Sequence, residues 1–75
     1  MSNKPAKRIK IGLITATIWA NENEKGGTRY SIDIVRNYKK DDQWEETSSF
    51  GIDDLPVVSK ISDLALDAVL ELQTK

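Results

Sequence analysis

The apolar positions of this chain change period once, near residue 52, from a spacing of two to one near 3.6. From Ile9 to Trp19 the run I-K-I-G-L-I-T-A-T-I-W is rich in β-branched residues and predicts a long strand. Its alternation has one defect: Ile9 and Ile11 share one parity, whereas Ile14, Ala16 and Ile18 share the other. A β-bulge near Gly12 and Leu13 would return all five to one face and leave Lys10, Thr15, Thr17 and Trp19 on the opposite one. Asn21 to Gly27, with its Gly26-Gly27 pair, suits a hairpin loop of several residues. Thr28 to Tyr38 predicts the second strand, with Tyr30, Ile32 and Ile34 on one side and Arg29, Ser31, Asp33 and Val35 on the other. After a turn at Lys39-Lys40-Asp41-Asp42, Gln43 to Phe50 predicts a third, more polar strand with Trp44, Glu46, Ser48 and Phe50 on one side, ended by Gly51.

The remainder predicts a helix over 53–73. Asp53 is the expected N-cap, Asp54 favours the positive helix end, Pro56 falls in the first turn, and Ile52 is placed to staple to Val57. Leu55, Val58, Ile61, Ala65, Ala68 and Leu72 follow the helical period, with Lys60, Asp63, Asp67 and Glu71 on the other side. Leu64, Leu66, Val69 and Leu70 widen the apolar sector beyond what one small sheet covers, so part of it is expected against a second subunit. The fold class is therefore α+β: an antiparallel curved sheet of three, or four, strands followed by one C-terminal amphipathic helix (β-β-β-α), expected to be dimeric.

Length and charge sharpen this picture. Seventy-five residues make one domain, divided into a loose basic arm (1–7), the sheet (8–52) and the helix. A chain this short is a marginal monomer, and with neither Cys nor His it lacks disulfides and the usual zinc ligands, which leaves self-association as the remaining support. Met1 to Lys40 carries nine basic and three acidic residues, and Asp41 to Lys75 two basic and nine acidic, so a net charge of -1 conceals halves of about +6 and -7. If folding keeps the halves apart, one surface is basic enough for a polyanion. No signal-peptide pattern or membrane-length apolar run is present, and the expected location is cytoplasmic.

Catalytic chemistry finds little support. Asp53 with Asp54 and Asp63 with Asp67 lack the oxygen spacing of a calcium loop and read better as a cap and a solvated face. Thr15, Thr17, Ser48 and Ser49 have no histidine, and Gly26-Gly27 has no phosphate-loop Lys-Ser/Thr behind it, so neither an enzyme nor a cofactor is expected. The aromatics Trp19, Tyr30, Tyr38, Trp44 and Phe50 are instead interleaved with cations on the strands, which is how a stacking platform for unpaired bases is built. The plainer account puts Tyr30 and Phe50 in the core, and Asp33 and Glu46 interrupt a continuous cationic groove. The expected surface comprises Lys10, Trp19, Arg29, Arg36, Tyr38, Lys39, Lys40 and Trp44, and the expected partners are a second copy and single-stranded DNA or RNA. The rival expectation is a protein-interaction or self-assembling module in which the basic half of one copy meets the acidic half of another.

The stretch I-G-L-I-T-A-T-I-W-x-N-E, then R-Y-S-I, Y-K-x-x-D-x-W and S-S-F-G-x-D-D-L with the closing helix resembles a family of short, uncharacterised bacterial proteins found in genomes and on plasmids. That resemblance covers Ile9 to the helix end and implies a strand-plus-helix unit without assigning any catalytic residue. The helix here is more acidic, and Pro56 stands where the family usually has an apolar residue. In layout the unit also resembles half of the PC4-type and Whirly-type single-strand-binding domains, which implies pairing through helices and binding on sheets.

Overall fold

The computed structural model describes residues 5–74. It is an α+β unit in which a four-stranded antiparallel sheet in sequential order is followed by one C-terminal helix. The strands are β1 (Pro5–Ile11), β2 (Ile14–Glu22), β3 (Thr28–Lys40) and β4 (Gln43–Thr47); a 3-10 turn (Ile52–Asp54) leads into α1 (Leu55–Gln73).

The expected continuous strand with a bulge does not form. Gly12 and Leu13 are a two-residue hairpin loop, with Gly12 at φ +58°, the left-handed conformation that glycine adopts without steric cost. Ile11 pairs with Ile14 and Ile9 with Ala16, so the hairpin brings the five aliphatic residues to one face by reversing the chain. The loose arm is corrected in part as well. Pro5 and Lys7 pair with Trp19 and Ile18 across a register shift, while 1–4 lie outside the described residues. Pro5 is tolerated because β1 is an edge strand at its first residue.

The β2–β3 loop is built as expected: the Asn23 side chain accepts hydrogen bonds from the amides of Lys25 (3.0 Å) and Gly27 (2.9 Å). The next turn is tighter than expected. Only Asp41 and Asp42 connect β3 to β4, at φ 50° and 65°, the paired positive values of a type I′ turn. The third predicted strand is shorter too. It stops at Thr47, and Phe50 swings back to pack on the core instead of sharing a face with Trp44.

The helix covers the β1–β2 half of one sheet face and barely reaches β3. Ile14, Ala16 and Ile18 meet Ile61, Ala65, Ala68 and Val69, bordered by Ile9, Ile11, Ile34, Phe50 and Leu72. The alanines let helix and sheet approach closely, and Ile18 and Ile61 are fully buried. At the helix start Asp54, not Asp53, holds the cap position, and its carboxylate accepts the Gly51 amide at 2.9 Å. Asp54 Oδ2 also lies 3.3 Å from Arg36 Nε, tying the helix entrance to β3. The expected staple is absent, since Ile52 is 86% exposed, and Leu55 likewise faces outward despite its helical period.

One consequence concerns the β3–β4 turn. Aspartate tolerates left-handed φ poorly compared with Asn and Gly, so the double substitution Asp41→Asn with Asp42→Gly is expected to stabilise the chain by about 1 kcal/mol. The check is a urea titration, in which the midpoint should rise with unchanged slope.

Candidate nucleic-acid interface

A single helix leaves the second face of the sheet without cover. Strand parity and register place Arg8 and Lys10 of β1, Thr15, Thr17, Trp19 and Asn21 of β2, and Trp44 and Glu46 of β4 on this open face. Its long central row comes from β3: Arg29, Ser31, Asp33, Val35, Asn37 and Lys39. The face carries four cations, Arg8, Lys10, Arg29 and Lys39, against two carboxylates, Asp33 and Glu46. A strand alternates its side chains between faces, so the open face collects charges that are distant in sequence.

Of the eight residues expected to form one surface, Lys10, Trp19, Arg29, Lys39 and Trp44 are brought together here. Arg36, Tyr38 and Lys40 are not. They hold the opposite parity on β3, so their side chains leave on the helix side. Arg36 faces Asp54 and stands 5.8 Å from the Tyr38 ring centroid. Tyr38 pairs with Glu45, whose carboxylate accepts the phenol and holds its pKa above the ordinary tyrosine range. Arg36 and Tyr38 thus link the helix entrance to β3 and β4, whereas Lys40 is exposed beside the turn and pairs with Gln43.

The two tryptophans differ in kind. Trp44 is 64% exposed on the short edge strand β4, with an indole face free to stack. Trp19 is half-buried, and its indole N–H donates to Asp33 Oδ2 at 3.0 Å. That bond fixes the ring across the β2–β3 boundary and engages one of the two carboxylates that interrupt the basic face. Asn21 Nδ2 donates to Ser31 Oγ at 3.3 Å, and Asn37 Nδ2 to Thr15 Oγ1 at 3.2 Å, so the polar side chains between the cations are themselves oriented.

Three residues of this face escape the sequence pattern: Arg8, Leu13 and Asn37. Leu13 is exposed at the β1–β2 hairpin tip, and with Lys10, Asn37 and Trp44 it lines a niche of about 280 Å³. The available signals were the two-residue spacing of Arg8 and Lys10, which gives them one parity on a strand, and Gly12 in a two-residue loop, which sets Leu13 beside β3. Among the described residues no group of three or more potential ligands is placed to hold a metal ion, and no helix is long and apolar enough to cross a membrane. Comparison with protein-family models, curated proteins and solved structures finds no match to this chain.

The contrast between the indoles is measurable in single-tryptophan variants. Acrylamide should quench Trp44 fluorescence several-fold more efficiently than that of Trp19, and Asp33→Ala should raise quenching of Trp19 alone. Equal quenching of both rings in the otherwise unchanged protein would contradict the pinned geometry.

Proposed function

We propose that this chain is a non-enzymatic binding protein that takes single-stranded nucleic acid on the open face of its sheet and acts as a homodimer. The observation that carries this reading is an uncovered sheet face on which four cations surround an exposed Trp44 and an oriented Trp19. Unpaired bases stack on aromatic faces whatever their sequence, while lysine and arginine follow the phosphates. Duplex DNA fits less well, because its bases are already stacked and unavailable to an indole.

Support for the dimer comes from the other side of the molecule. Because α1 stops short of β3, Ile32 stays exposed, and a trough of about 290 Å³ runs between Ile32 and Ile34 on β3 and Ser62, Ala65, Leu66 and Val69 on the helix. Leu66, 55% exposed, and Leu70 form a ridge beside it. Leu55, Ser59, Ser62 and Leu66 recur at three- and four-residue spacing, a helical stripe whose serines permit close approach of a second helix. Trough and ridge on one patch are what a two-fold, self-complementary contact requires.

A second reading, self-assembly by charge, is favoured by a different observation. The edge strand β1 carries Lys7, Arg8 and Lys10 beside the acidic helix residues Asp67 and Glu71, so basic and acidic rows run side by side at one margin of the molecule. In that case added salt dissolves the assembly, and the open face has no affinity for oligonucleotides.

Fluorescence anisotropy of labelled oligothymidine at low salt separates the two. Binding is expected, and four cations per protomer limit the slope of log affinity against log salt to about -3 per protomer, at about -0.7 per phosphate contact on a single strand. Trp44→Ala should weaken binding about tenfold, since one base stack is worth about 1 to 3 kcal/mol. Absence of binding at low salt overturns the proposal. For the dimer, Leu66→Asp should give a monomer in analytical ultracentrifugation with the helical circular dichroism signal retained. An unsubstituted protein that sediments as a monomer at every concentration would sink that half of the reading.

A further inference from the structure

The niche at the hairpin tip has the walls of a base-recognition site. Leu13 and Trp44 are its apolar walls, with Lys10 and Asn37 between them, and a second concavity of about 360 Å³ adjoins it through the same Lys10 and Asn37 and adds Glu46. At about 280 Å³ the first niche falls below the roughly 300 Å³ where pockets for whole small molecules begin, which suits one base of a longer strand.

The polar groups on this shared wall have a defined polarity. The Asn37 amide donates one of its two N–H groups to Thr15 Oγ1, which orients the side chain, and its Oδ1 has no hydrogen-bond partner among the described residues and is available as an acceptor. Glu46 pairs with Asn37 across β3 and β4 and contributes a carboxylate, which only accepts when ionised. Lys10 contributes an ammonium, which only donates. The Asn37 backbone N–H donates to the Leu13 carbonyl at 2.7 Å, so the hairpin tip is held beside β3 and the niche is preformed.

The acceptors Asn37 Oδ1 and the Glu46 carboxylate beside the Lys10 ammonium favour a base edge with two neighbouring donors and one acceptor. Guanine presents neighbouring donors, N1–H and N2–H, on its Watson–Crick edge, next to the O6 acceptor. Cytosine and adenine offer one exocyclic amine beside a ring acceptor, and thymine one N–H between two carbonyls. We propose that the niche formed by Lys10, Leu13, Asn37 and Trp44, together with Glu46 of the adjoining concavity, is a guanine site: the base lies between Leu13 and Trp44, its N1–H and N2–H donate to Asn37 Oδ1 and Glu46, and O6 accepts from Lys10. This rests on the open face binding a single strand, and it turns Asn37 and Glu46 into specificity-determining residues. It also explains a carboxylate on a basic face, because Glu46 weakens general phosphate attraction in exchange for base selection.

The test is anisotropy competition by the full-length protein with four unlabelled oligonucleotides of equal length: oligothymidine, and thymidine alternating with deoxyguanosine, deoxyadenosine or deoxycytidine. The guanosine strand should compete about tenfold more tightly than oligothymidine, the discrimination a good two-point base contact provides. Asn37→Ala and, at the exposed tip, Leu13→Ala should erase that preference while salt-dependent binding persists. Glu46→Ala should tighten oligothymidine binding and lower the guanosine preference together, opposite signs that loss of a charge alone does not produce. Equal competition by all four strands, or preference for adenosine or cytidine, overturns the guanine site and leaves the open-face reading standing. No binding to any strand at low salt overturns both.

Discussion

The contact between α1 and the β1–β2 hairpin is the constraint from which the rest of the molecule follows. One helix supplies Ile61, Ala65, Ala68 and Val69, and only Ile14, Ala16 and Ile18 of the sheet are buried beneath it. In a chain of this size such a core covers half of one sheet face and no more. The Cα radius of gyration is 14.1 Å, against about 11 Å for a compact domain of this length, because β3 and β4 run out beyond the helix as a two-stranded ribbon. Both the open face and the exposed Ile32–Leu66 patch are consequences of having one short helix for four strands.

That economy explains how much of the architecture was legible in the sequence. Apolar parity reports which face a residue occupies, and it does so correctly for Ile9, Ile11, Ile14, Ala16 and Ile18, and for β3 from Arg29 to Val35. Parity does not report chain direction. A bulge and a two-residue hairpin at Gly12-Leu13 restore the same alternation, and only the pairing of Ile11 with Ile14 distinguishes them. The fourth strand and the place of Arg8 were hidden behind that degeneracy. The helix was legible from its period and Pro56, but its entrance was not, because Asp54 turns back to the Gly51 amide, as the third residue of a capping box does, and outward to Arg36 on β3, a contact that local sequence does not contain.

The candidate surface was legible for a related reason and misread for another. Cations and aromatics on strands are visible as composition, yet Arg36, Tyr38 and Lys40 were grouped with Lys39 by closeness in sequence, where a strand separates neighbours onto opposite faces. What sequence offers no means of seeing is cross-strand meeting: Trp19 with Asp33, Asn37 with Thr15, and Leu13 with Trp44 become partners only once register is set. These meetings give the open face orientation as well as charge. A hydrogen-bonded indole has already lost rotational freedom, so less is lost when any planar group packs against it.

The segregation of charge along the chain becomes in part a segregation by layer. The sheet's open side is basic, and the helix on the other side exposes Asp63, Asp67 and Glu71. At the β1 margin the two layers meet, because Asp67 and Glu71 line one concavity with Lys7, Arg8 and Lys10, and the helix carboxylates there moderate the field of those cations. A sequence pI near 5.3 thus coexists with an open face that carries four cations against two carboxylates. The halves of about +6 and -7 along the sequence thus map only in part onto the two sides of the sheet, because Asp33 and Glu46 stand on the open face and Lys7, Arg36 and Lys40 leave on the helix side.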